Sequence, residues 1–100
     1  MAYQLWIKDE AKAEVRQLPG YIRQRIRRAI TDLSLNPRPH YSQQMKLPED
    51  VELEVRRLRL EQWRVIYVVD EAWTEVGVLA VRKRPPYDYE DLAALLADLG

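Results

Sequence analysis

Cysteine is absent from this chain of 100 residues. That excludes disulfides, thiolate metal sites and thiol nucleophiles, and it fits a reducing compartment. Histidine occurs once, at His40. A zinc site would need carboxylates around that single imidazole, and the spacing of the acids offers no such cluster. With only three glycines there is no glycine-rich loop to cradle a phosphate. Ser34 and Ser42 stand in no nucleophile motif. Neither a metal nor a small-molecule cofactor is expected. The apolar runs are far shorter than a membrane span. The opening MAYQLWIKDEAK lacks a basic leader before an apolar core, so no signal peptide is expected and a soluble cytoplasmic protein is.

Net charge is lacking too, with 16 basic and 16 acidic residues. A tight, generic nucleic-acid binder would be clearly basic. The distribution is nevertheless uneven. Residues 21–50 carry six cations (Arg23, Arg25, Arg27, Arg28, Arg38, Lys46) against three acids, and Arg82-Lys83-Arg84 form a contiguous basic run. Hydrophobic residues at 47% and charged residues at 32% suit one folded core rather than a disordered tail. The length suits a single domain spanning 1–100.

Along the chain, Tyr3 to Ile7 has the aromatic and apolar residues of a short strand. Asp9-Glu10 opens a helix, because acids favour the positive end of the helix dipole. Ala11, Val15 and Leu18 give it an apolar stripe before Pro19-Gly20 ends it. Tyr21 to Leu35 is a second helix, with Ile22, Ile26, Ala29, Ile30 and Leu33 on its buried face. Asn36-Pro37-Arg38-Pro39 stops it. The two helices are predicted to form a hairpin on one face of a sheet.

Residues 40–50 are expected to be a loop, extended at most around Gln44 to Leu47. A strand then resumes at Val51. Its apolar residues are odd-numbered at Val51, Leu53 and Val55 but even-numbered at Leu58 and Leu60. That change of phase predicts a bulge or twist at Arg56-Arg57, or a strand end that curls from the core. Trp63 to Asp70 and Trp73 to Arg84 complete an antiparallel meander, with a turn at Asp70-Glu71-Ala72. A last helix begins at Asp88 or Tyr89 and lines up Leu92, Leu95, Leu96 and Leu99. The order β-α-α-β-β-β-α makes an α+β domain, a helical hairpin on an antiparallel sheet.

The candidate chemistry lies in cations and phenols. Arg57 and Arg59 share one face of their strand, Arg64 begins the next strand, and Arg82, Lys83 and Arg84 end the neighbouring one. Arginine offers a fixed fork of donors suited to phosphate oxygens. The plainer alternative is a set of solvated strand cations paired with Glu52, Glu54, Glu61 and Glu75, and Arg56 is best read so. Tyr87 and Tyr89 follow the basic run. A phenol, with an ordinary pKa near ~10, becomes a base at neutral pH only where cations lower it. Either tyrosine could instead simply pack the last helix on the sheet.

Residues Leu58 to Leu92, LRLEQWRVIYVVDEAWTEVGVLAVRKRPPYDYEDL, resemble the second half of the RelE/ParE superfamily of bacterial toxins from toxin–antitoxin systems. The motif is an arginine–aromatic–arginine strand pair, here Arg59 and Trp63-Arg64-Val65-Ile66-Tyr67. An acidic turn, an apolar strand and a basic run leading to a tyrosine follow it. The helical hairpin ending at Leu35-Asn36-Pro37 extends the likeness over nearly the whole chain. The resemblance implies a RelE-like fold. For the RelE branch it also implies a metal-independent endoribonuclease that cleaves mRNA on the ribosome by attack of a 2′-hydroxyl on the adjacent phosphate.

Carried over by position, Arg64 and Arg84 would hold and neutralise the phosphate. Arg57 and Arg59 would assist RNA binding or the transition state, and Lys83 and Arg82 would add RNA-binding charge. Tyr89, with Tyr87 second, would act in proton transfer or base stacking. The implied partners are mRNA, the ribosome and a cognate antitoxin encoded by a neighbouring gene, with no membrane. Zero net charge, Arg82 where the family often has glycine, and an acidic, leucine-rich C-terminal helix depart from the RelE pattern and suit an antitoxin-facing surface or a divergent toxin. The ParE branch, which poisons DNA gyrase and typically lacks the arginine–tyrosine set, is the rival reading. A non-catalytic binding member of the same fold is the third.

Overall fold

A computed structural model describes residues 2–83 together with 93, 94, 96 and 97. The elements are β1 (Gln4–Ile7), α1 (Asp9–Arg16), α2 (Gly20–Asp32), β2 (Ser42–Gln44), β3 (Glu54–Leu60), β4 (Trp63–Asp70) and β5 (Glu75–Lys83). The five strands form one sheet in the order β1-β5-β4-β3-β2. Among the described residues no helix is long and apolar enough to cross a membrane.

The helical stripes sit where their spacing predicts. Ala11 and Val15 of α1, Leu18 just beyond it, Ile22, Ile26, Ala29 and Ile30 of α2 and Leu33 at its C-cap are all buried. They pack in one cluster with Leu58, Val65, Tyr67, Val69, Val76, Val78 and Val81 of the sheet. Each fully buried Ile or Leu is worth roughly 1.5–3 kcal/mol of transfer free energy. Asp9 and Glu10 occupy the first turn of α1 and Arg16 its last, so the charges complement the helix dipole at both ends.

Two expectations need correction. The sheet is mixed rather than antiparallel, because β1 runs parallel to β5. The helical hairpin carries the chain across a sheet face instead of turning it in the plane, which lets the first and last strands point the same way. Apolar alternation carries no information about strand direction. The bulge also lies elsewhere. β3 pairs with β4 in unbroken register from Glu54↔Val69 to Leu60↔Trp63. The register shift falls instead between β4 and β5, where Ile66 faces Ala80 but Tyr67 faces Val78.

The change of phase along β3 has a different cause. Leu58 is buried on the helix side, whereas Val55 is buried on the opposite side with Ile66, Val68, Leu79 and Ala80. Both faces are covered, so a straight strand can bury residues of both parities. Residues 51–53 precede the strand, and Leu53 is exposed.

The second face is covered by Trp6, Met45, Leu47 and Leu96. The loop after α2 therefore contributes to the core, and its strand is Ser42–Gln44, slightly earlier than expected. Trp6 lies opposite Gly77 in the β1–β5 register. A Cβ at position 77 would come within 1.9 Å of the Trp6 ring, so glycine is what lets the indole lie flat on this face. Ala93, Ala94 and Leu96 are helical; the start of the expected last helix at Asp88 or Tyr89 lies outside the described residues.

Candidate functional site

The register of the sheet brings together cations that are scattered in the sequence. Arg59 of β3 faces Arg64 of β4, and Arg64 faces Arg82 of β5. Register partners put their side chains on the same face of the sheet. The three arginines thus form a row across three neighbouring strands, their side chains starting from the face opposite α1 and α2. Paired Cα atoms on adjacent strands lie about 4.5–5.5 Å apart, so the row is compact. Arg57 stands two residues before Arg59, on the same face, and its Nη2 donates to Gln43 Oε1 at 2.9 Å.

Arg64 is the anchor of the row. It is buried, 5% exposed, and its Nη1 donates to the carbonyls of Glu61 and Trp63, each at 3.0 Å. Both carbonyls belong to the β3–β4 turn or its edge, so the turn that ends one strand fixes the guanidinium on the next. Glu61 adopts a left-handed conformation at φ 54, unusual for a residue with a Cβ. Its side chain is held by Arg25 of α2. Arg59 is exposed.

Arg82 has a carboxylate partner. Its Nε donates to Glu14 Oε2 at 3.0 Å, and the N–H of Val81 donates to Glu14 Oε1 at 3.1 Å. Lys83 departs from the group in which the sequence places it. It faces Trp63 in the register and so projects to the helix side, away from the row. There it lines a hollow of about 270 Å³ with Glu14, Gln17, Leu18, Trp63 and Val81, and Arg82, starting from the other face, reaches the same hollow through its bond to Glu14. The Trp63 Nε1 is buried without a hydrogen-bond partner among the described residues. Arg84, Tyr87 and Tyr89, the other candidates, lie outside the described residues.

The opposite end of the sheet carries a second set of charges that no sequence motif marks. Arg38 donates through Nε and Nη2 to both oxygens of Glu54, each at 2.8 Å, and through Nη2 to Glu71 at 2.6 Å. The Tyr3 hydroxyl donates to the same Glu71 oxygen at 2.7 Å. The Arg38 fork holds the Glu54 carboxyl below its ordinary range. Hydrogen bonds from Tyr3 and Arg38 do the same for Glu71. Arg56 belongs here in character, bonded to Ser42 Oγ and to Glu54 at 3.2 Å, as its plainer reading holds. The only sequence signal for the network is the group of acids near the strands, Glu54 among them; its partner Arg38 sits inside a helix-stopping Asn-Pro-Arg-Pro turn.

Neither Tyr3 nor Tyr67 is tuned to be a base. The bond to Glu71 pushes the Tyr3 phenol up, and burial pushes up that of Tyr67. The Tyr67 hydroxyl is committed to a buried hydrogen bond to the Pro37 carbonyl, 2.7 Å long. It ties the loop after α2 to the sheet.

Comparison with known proteins matches this architecture. The family model of the ParE toxin of type II toxin–antitoxin systems matches residues 6–85. No curated protein matches the chain. Solved structures do. The archaeal RelE–RelB complex from Pyrococcus horikoshii contains a chain with a TM-score of 0.73 and 23% identity, over 87% of this chain and all of that one. The isolated E. coli RelE toxin gives 0.68 and 21%, over 93% and 96%. The RelBE2 toxin–antitoxin complex of Mycobacterium tuberculosis gives 0.69 and 22%, over 84% and 100%. At these identities the structures speak for a shared fold, two helices on a five-stranded mixed sheet. The family match covers most of the chain and goes further: this protein belongs to the ParE toxin family, within the RelE/ParE superfamily, and is a toxin of the type II toxin–antitoxin class.

Proposed function

We propose that this toxin is a metal-independent endoribonuclease that cleaves mRNA on the ribosome. The observation that carries the reading is the row Arg59–Arg64–Arg82, three arginines whose backbone positions stand in one register across three strands. Like charges placed opposite one another across strands weaken a sheet. An anion lying over the row reverses that repulsion, and a phosphodiester is the anion whose oxygens match the arginine fork.

In the reaction, the 2′-oxygen forms a bond to phosphorus and the bond from phosphorus to the 5′-oxygen breaks. The 2′-hydroxyl proton passes to a base, a proton reaches the leaving 5′-oxygen, and the fragments end in a 2′,3′-cyclic phosphate and a 5′-hydroxyl. The transient phosphorane carries extra negative charge, so preset cations favour it over the substrate. Arg64, fixed by two carbonyls, and Arg84, next in the chain after Lys83, are assigned to that charge. Arg57 and Arg59 hold the flanking RNA, and Arg82 binds the phosphate beside Arg64. Tyr89 is assigned to proton transfer or base stacking, with Tyr87 as the alternative. Tyr3 and Tyr67, whose phenols are pushed up, are poorer candidates.

The partner follows from the solved relatives, which include RelE with RelB and the RelBE2 toxin–antitoxin complex. By likeness, this toxin pairs with an antitoxin that covers the basic face or displaces the C-terminal segment, and it acts in the cytoplasm as one domain. The rival reading is gyrase inhibition, favoured by the matching family model, which is that of ParE.

Induced expression without antitoxin, with transcript ends mapped, separates the two. Cleavage within translated codons that fades in Tyr89→Phe and in Arg84→Ala supports the ribonuclease and its residues. Cleavage that survives Tyr89→Phe transfers the role to Tyr87. Growth arrest with intact transcripts and damaged DNA supports the gyrase reading.

A further inference from the structure

β1 pairs with β5 only from Glu75 to Val78, although β5 runs on to Lys83. Beyond Val78, no strand lies beside that edge of β5 among the described residues, and an exposed run of unpaired N–H groups is a liability. Glu14 of α1 lies there. One carboxylate oxygen accepts the main-chain N–H of Val81 and the other accepts Arg82 Nε. A single side chain, 67 and 68 residues away in sequence, therefore fixes both the backbone of the strand end and the guanidinium that completes the arginine row.

We propose that Glu14 is a positioning residue for Arg82, presenting the guanidinium to the RNA phosphate; this rests on the ribonuclease reading above. The chemistry of the contact supports it. Glu14 engages Nε alone, and among the described residues no hydrogen bond reaches the two Nη groups of Arg82. Those two groups are the parallel donors that grip a phosphate. Register sets Arg82 beside Arg64, where repulsion would splay a flexible side chain out to solvent. Glu14 offsets that repulsion and holds the stem. Because the carboxylate is also tied to Val81, it is less free to swing with Arg82, and the pair is more rigid than a surface ion pair between two loose side chains.

Positioning and charge make opposite predictions, which allows a test. Glu14→Gln keeps an amide oxygen for the Val81 N–H and removes a negative charge beside the row. If Glu14 merely damped the positive potential, the variant would bind RNA more tightly and cut at least as fast. If it merely capped the sheet edge, the variant would lose stability alone. As a positioning residue, it supports the chemical step. The measurement is single-turnover cleavage on ribosomes programmed with a defined mRNA, over a range of toxin concentrations.

The expected result for Glu14→Gln is a rate at saturating toxin reduced about tenfold. The half-saturating concentration stays within about twofold of wild type. Arg82→Lys, which keeps the charge but loses Nε, is expected to show the same loss, and the double variant no further loss. A wild-type rate in folded Glu14→Gln, additive losses in the double variant, or a loss confined to half-saturation would each overturn the proposal. Absence of cleavage by wild-type toxin would instead overturn the ribonuclease reading on which it rests. Thermal unfolding of each variant keeps the outcomes separate from misfolding.

Discussion

The two ends of the β3–β4–β5 sheet are built from the same residue type and put it to opposite use. At one end Arg38 meets Glu54 and Glu71, with Tyr3 completing the set, and every charge named has a partner of opposite sign or a hydrogen bond to it. At the other end Arg59, Arg64 and Arg82 stand side by side in register, and the carboxylate bonded to Arg82 comes from a helix. The first arrangement ties the residue before β1, the loop after α2, β3 and the β4–β5 turn together. The second keeps positive charge concentrated on one face. An arginine count does not tell a fastening from a binding surface; the placement of carboxylates does.

The comparison breaks most sharply if the row is dispensable. Arg64→Ala is expected to lower cleavage by about 10²–10³-fold, the scale for losing a preset donor to developing charge. A folded variant with unchanged single-turnover cleavage would remove the functional meaning of the row. The converse substitution lies on the helix side of the sheet. Tyr67→Phe deletes the buried hydrogen bond to the Pro37 carbonyl and leaves that acceptor unsatisfied, so it is expected to cost about 1–3 kcal/mol in urea unfolding. Its specific activity should remain that of wild type, and a large loss of activity at full stability would blur the division between fastening and binding.

The smallest expected effect sharpens the comparison through pH. Glu54 is held below its ordinary value of 4.5 in the folded protein. As pH falls, the unfolded chain takes up the proton first. The stabilisation is therefore complete above about pH 4.5 and is lost as pH falls through the lowered folded value. Arg38→Ala removes the main cause of the shift. It should cost less than about 1 kcal/mol at neutral pH for the partly exposed Arg38–Glu54 pair. It should also flatten the decline in stability below about pH 4.5, measured by denaturant unfolding across pH. Equal acid sensitivity in the two proteins would deny the network its fastening role.

Much of the fold is legible in the sequence, for a simple reason. The stripe Ile22, Ile26, Ala29, Ile30 and Leu33 repeats with helical period, and it is buried as that period requires. The apolar runs of β4 and β5 are likewise local signals. The regularity of β3 is not legible, because a change of parity implies a bulge only where a single face is covered. In the folded protein Met45, Leu47, Trp6 and Leu96 cover the other, so Val55 and Leu58 can both be buried on a regular strand. The direction of β1 is equally hidden, since no local pattern encodes it.

The candidate site divides in the same way. The sequence by itself determined the residue types, the chemistry they can perform and the strands that carry them, since composition and periodicity are properties of short segments. Tertiary structure alone decided which residues meet. It sent Arg82 to the row and the adjacent Lys83 to the opposite face, because successive side chains of a strand alternate. It set Arg59, Arg64 and Arg82 side by side through register, and it brought Glu14 to Arg82 by packing α1 beside the open edge of β5. Such contacts join residues far apart in sequence, and they exist only once the burial of two apolar faces has fixed how the strands and helices lie together.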